Sequence, residues 1–148
     1  MMYHSVTDYL NNKPRPISVG SPIAAVKPIN VSQTQQEYDG IAGNLVLKLV
    51  SILERIEPKE LTGTSRGKAD ICLARQVAMY LMHTVFSVPY HRVADFMGRD
   101  RTTISHACKL VEDLRDNQEF DKRLEAMENL LVSARALSEL ADRQKTHD

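Results

Sequence analysis

Arg101, Thr102, Thr103, Ser105, His106 and Lys109 fall within nine consecutive residues, and no glutamate occurs among them before Glu112. If Ile104, Ala107, Cys108 and Val111 form the buried stripe of a helix, the remaining face carries a guanidinium, hydroxyls, an imidazole and an ammonium, and all but Thr103 point squarely outward. Such a face offers hydrogen-bond donors and threonine methyl groups without a carboxylate to repel phosphate. The major groove of a DNA duplex presents the complement: acceptors on guanine, mixed edges on adenine and a methyl on thymine. Arg101 suits guanine, Thr102 or Thr103 a thymine methyl, and His106 a base edge or a phosphate.

Local sequence dictates how that face must be held. Asp100 is a good helix N-cap and is expected to accept orphan N–H groups near Thr102 and Thr103. Gly98, Arg99 and Asp100 form a tight turn after a short helix that carries Val93, Ala94, Phe96 and Met97, with Pro89 in its first turn. Two helices across such a turn, over about 88 to 116, have the layout of a helix-turn-helix. Before them, a helix from Ile71 to Phe86 is apolar on both faces and is expected at the centre of the fold. Further upstream, Tyr38, Ile41, Leu45, Val46, Leu49, Ile52, Leu53 and Ile56 recur at helical steps until Pro58, and these are the expected core stripe of a first helix. A last helix carries Phe120, Leu124, Met127, Leu131, Ala134 and Leu137, either closing the core or, through its surplus length, pairing two chains as a homodimer. No strand pattern is evident, so the class is all-α. Helical domain boundaries of about 36 to 141 follow, with a tail at 142–148. The first 35 residues read as a poorly ordered arm, since four of the six prolines lie in the first 28 positions and no apolar period develops.

The chain has 148 residues, 43% of them hydrophobic, and 19 basic against 19 acidic side chains. Its neutrality conceals a segregation. Residues 66–109 hold seven basic and three acidic side chains, a surplus of four, whereas residues 110–148 hold six basic and ten acidic, a deficit of four. A basic middle suits a polyanionic partner. Only Cys72 and Cys108 occur, too few for a thiolate zinc site or a disulfide framework; Cys108 is expected to be an inert packing thiol. The absence of a secretory leader or of a long apolar run leads us to expect a cytoplasmic, nucleoid-associated protein. Gly63 to Ala69 fails the phosphate-loop pattern in spacing and lacks its terminal hydroxyl. No Ser/His/Asp or HExxH grouping is present either, so no enzyme activity, nucleotide, metal or other cofactor is expected.

The stretch Ala74 to Arg115, with its ARQVAMYL opening and the GRDRTTISHAC block at Gly98–Cys108, resembles the C-terminal DNA-binding domain of the bacterial replication initiator DnaA. The resemblance implies a compact helical bundle of the Trp-repressor and DnaA C-terminal kind. It also implies binding to double-stranded DnaA boxes, with the helix after the turn in the major groove, a basic loop in the minor groove and an Arg-Gln pair on phosphate. Carried onto this chain, it assigns base reading to Asp100, Thr102, Thr103 and His106, and Arg101 and Ser105 join them on the exposed face. Backbone contact is assigned to Arg75, Gln76 and Arg99, with Lys109 at a further basic position, and minor-groove contact to Arg66 or Lys68.

The chain departs from the family where Arg101 replaces the usual histidine, where the basic loop is thin, where one glycine rather than two precedes the arginine of the turn, and where Leu110 replaces a basic residue. The resemblance implies a module without the initiator's ATPase, acting as a transcription or replication regulator at DnaA-box-like or related sites. The thinned loop keeps a second reading open, a protein-interaction module with vestigial DNA binding.

Overall fold

The computed structural model describes residues 31–64 and 67–145, and these form six helices. They are α1 (Val31–Glu54), α2 (Pro58–Thr62), α3 (Ala69–Phe86), α4 (Tyr90–Met97), α5 (Arg101–Leu114) and α6 (Gln118–Lys145). No strand occurs among the described residues. The fold is all-α. Most of the expected arm lies outside the described residues, and its last part, from Val31, is already helical. At the other end α6 continues through Lys145, into the stretch expected as a tail.

α3 is the hub, as its apolar character on both faces predicts. Ala78, Leu81 and Met82 are fully buried, and Met79, Tyr80 and Val85 nearly so. α1 packs on one side of it and α5 on another, while α1 and α5 share no comparable contact with each other. Burial of the α3 side chains contributes on the order of 1.5–3 kcal/mol for each large apolar residue.

α1 buries only part of the stripe its large apolar residues suggest: Val46 is fully buried and Leu49 half-buried, and Ile56, just past the helix, is buried as well. Ala42, Val46, Leu47 and Val50 face the core, together with the buried Gly43, whereas Ile41 and Ile52 are each 72% exposed. The cause is close packing. A Cβ on Gly43 would sit 2.4 Å from the Phe96 ring of α4, so only a residue without a side chain lets the two helices approach this closely. An ion pair supports the same contact: Arg92 Nε lies 2.8 Å from Asp39 Oδ2, and Gln35 donates to the other carboxylate oxygen.

α1 ends at Glu54, where Arg55 turns left-handed (φ 55°) and the Ile56 N–H bonds to the Ser51 carbonyl; Pro58, expected to close the run, instead starts α2, a short helix that the hydrophobic period does not reveal. Glu60 reaches back to accept the Glu57 backbone N–H, and Leu61 is fully buried. Pro89 precedes α4 instead of lying in its first turn; its carbonyl accepts the N–H groups of Arg92 and Val93. α6 closes the core through Leu124, Met127 and Leu131, Ala134 is half-buried, and Leu137 is exposed. Asn117 caps α6 by accepting the N–H groups of Glu119 and Phe120. Arg115 then joins three helices. It donates to Glu128 (2.9 Å) and Asp121 (2.6 Å) on α6 and to the Tyr80 hydroxyl (3.1 Å) on α3.

Candidate nucleic-acid interface

The turn between α4 and α5 depends on one glycine. Gly98 adopts φ 62° and ψ 42°, and its N–H bonds back to the carbonyls of Ala94 and Asp95 while Arg99 N–H bonds to that of Ala94. This left-handed C-terminal cap stops α4 and redirects the chain within three residues into α5. α5 then buries the expected stripe: Ile104 and Val111 completely, Ala107 and Cys108 nearly so, with Leu114 half-buried. Burial pushes the Cys108 thiol up to about 11, with the Tyr90 hydroxyl beside it partly opposing the shift, so thiolate chemistry is suppressed.

Arg101, Thr102, Thr103, Ser105, His106 and Lys109 are all exposed. Asp100 precedes α5 in an extended conformation, but its carboxylate makes no capping hydrogen bond, contrary to the expectation. Its main-chain carbonyl accepts the Ile104 N–H, leaving the first N–H groups of α5 without a side-chain cap, at the end of a helix whose dipole favours an anion.

Two arginines assigned to phosphate do something else in the structure. Arg75 is only 6% exposed, and its Nε donates to the Glu60 carbonyl at 3.0 Å, with Nη2 donating to the same oxygen. Arg99 Nη2 donates to the Gly63 carbonyl. Arg75 thus ties α2 to α3, and Arg99 ties the residue after α2 to the helix-turn-helix. Lys68, exposed at the start of α3, belongs to the connection between α2 and α3, as does Gly67 with φ 61°. Gln76 is half-buried, and Arg66 lies outside the described residues.

These positions alter the meaning of the basic middle segment. Of its described cations, Arg92 is paired with Asp39 and Arg75 is turned inward. Lys68, Arg101 and Lys109 remain on the exposed surface, and Arg99 is partly exposed behind its bond to Gly63. The reading of charge by segment could not separate the two groups, because Asp39 lies 53 positions before Arg92 in the chain and outside the segment counted.

Fold and turn together define a helix-turn-helix protein of the all-helical type. Residues 44–111 match the family described as "Bacterial dnaA protein helix-turn-helix". The chain is 34% identical to the chromosomal replication initiator protein DnaA 2 of Chlamydia pneumoniae over 66% of its own length and 21% of that relative's. It is 35% identical to the chromosomal replication initiator protein DnaA of Oenococcus oeni over 61% of its length and 22% of the relative's. With the corresponding protein of Laribacter hongkongensis the identity is 31% over 76% of the chain and 22% of the relative. The chain therefore spans about a fifth of the length of the curated relatives it matches. No solved structure matches it. No helix among the described residues is long and apolar enough to cross a membrane.

Proposed function

We propose that the protein binds double-stranded DNA sequence-specifically and acts as a regulator of replication or transcription at DnaA-box-like or related sites. The observation that carries this reading is the exposed face of α5, where Arg101, Thr102, Thr103, Ser105, His106 and Lys109 are all open to solvent behind a rigid glycine turn. In this reading the N-terminal half of α5 enters the major groove and base edges select the sequence. Asp100 suits a cytosine amino group at the edge of the footprint. Phosphates are met by Lys109, Gln76, Lys68 and the uncapped N–H groups at the start of α5. Arg75 and Arg99 act by holding α2 and its C-terminal end in place, and Arg99 has room for a backbone contact as well. Lys68 is the described candidate for the minor-groove contact that the family resemblance assigns to Arg66 or Lys68.

The test is selection from a random duplex library by the purified chain, without nucleotide. A recovered motif related to the DnaA box, lost on Arg101→Ala, supports the reading. Retention of no duplex above background would refute it.

A further inference from the structure

The side of α1 turned away from the core carries an apolar seam that the described residues leave exposed. Tyr38, Ile41, Leu45, Lys48 and Ile52 follow one another at steps of three, four, three and four residues, and Arg55, exposed in a left-handed turn, lies just past the end of the helix. This is the spacing of a helix that packs along another helix. Ile41 and Ile52 are 72% exposed, and Tyr38, Leu45 and the flanking Leu53 are between 37% and 46% exposed. At roughly 200 Å² for a large side chain, these residues leave about 500 Å² of apolar surface on one helix face, near the upper end for a monomer. Two such faces together would remove about 1,000 Å² from water before their flanking charges are counted, the scale at which a specific interface begins.

Charge determines what fits. Glu37 lies at the N-terminal end of the seam, and Lys48 and Arg55 lie in its C-terminal half; no ion pair engages any of the three among the described residues. A parallel second copy would set Lys48 on Lys48 and Arg55 on Arg55. An antiparallel copy instead layers Ile41 on Ile52, packs Leu45 against the aliphatic stem of Lys48, and brings Arg55 to Glu37 and the Tyr38 ring. The Tyr38 hydroxyl keeps its bond to the Phe86 carbonyl throughout, because only the ring face is needed.

We propose that two copies of this chain pair antiparallel through the Tyr38–Ile52 face of α1. α3 lies between α1 and α5, so pairing here leaves both α5 faces open. The last helix is the rival surface, with Leu130, Leu137 and Leu140 exposed. Its seam has Ser133 between Leu130 and Leu137, so it offers fewer large side chains for layering.

The proposal goes beyond DNA binding and is tested without DNA. Sedimentation equilibrium of the full chain at tens of micromolar is expected to show a dimer. The double variant Ile41→Glu/Ile52→Glu, at two exposed positions, is expected to weaken it by roughly 100-fold with the helical content of the monomer unchanged by circular dichroism. In a Cys72→Ser background, a mixture of Ile41→Cys and Ile52→Cys chains is expected to form an oxidised heterotypic dimer, and neither chain alone a homotypic one. A wild-type monomer at 100 micromolar, whatever within the chain then covers the seam, overturns the proposal. So does a dimer that survives Ile41→Glu/Ile52→Glu, a dimer dispersed by Leu137→Glu/Leu140→Glu instead, or homotypic cross-linking at Ile41 and Ile52.

Discussion

At the scale of single residues, what matters is whether each polar group is already engaged. Arg101 and His106 are exposed on a helix whose opposite side is buried. In the proposed reading their contribution to binding depends on the sequence they meet. Arg101→Ala or His106→Ala is expected to lose about 1–3 kcal/mol on the preferred site and less on random duplex, as measured by competition titration. Equal losses on every duplex would show that these side chains hold only phosphate. Gly98 gives a separate expectation. Its φ of 62° makes Gly98→Ala cost about 1–2 kcal/mol in thermal stability, although a Cβ there would meet nothing within 4 Å.

At the scale of elements, local chemistry was legible wherever one helix face decides the outcome. The α5 stripe, both apolar sides of α3 and the glycine turn could all be read from the sequence, because burial there follows helical periodicity. α1 could not be read in this way. Its period predicts a helix, but the phase depends on Phe96, whose approach requires Gly43; that contact is between residues 53 positions apart. Hydrophobicity favours the larger side chains, while packing selected the smaller ones. α2 escaped because five residues are too few to show a period, although Glu57-Pro-Lys-Glu60 is a capping signal that could have revealed it. Two glycines of α1 test the packing account. Gly43→Ala forces the Phe96 ring to move and is expected to destabilise by about 1–2 kcal/mol despite the better helix propensity. Gly40→Ala, with nothing within 4 Å, is expected to stabilise by up to about 1 kcal/mol. Denaturant melts of the two variants decide the matter, and equal shifts would contradict it.

At the scale of the molecule, electrostatics enters twice. The candidate interface was legible as a motif, but the count of its usable charges was not, since Arg75 and Arg92 are spent within the fold. With three or four cations left to meet phosphate, the log-log slope of the binding constant against salt is expected at roughly −3 to −4; a slope near zero would exclude phosphate contact. The second effect is a dependence of stability on pH. Burial raises the Glu128 carboxyl to about 7, and the neighbouring Arg115 pulls it back only in part. Folded Glu128 therefore holds a proton that the unfolded chain releases near 4.5. This contribution is full below pH 4.5 and is lost as pH rises toward 7, with a size on the order of 1–3 kcal/mol. Glu128→Gln should flatten that part of the profile, so the difference in melting temperature between wild type and variant is expected to change between pH 5 and pH 8 and to stay constant above.

The two arginines that hold α2 and its C-terminal end both donate to main-chain oxygens, those of Glu60 and Gly63. An amide carbonyl survives almost any exchange of the side chain beside it. The clasp is therefore genetically one-sided: a saturation library should find positions 75 and 99 stringent and position 60 limited only by its own cap on the Glu57 N–H, and only the donors can be mutated away.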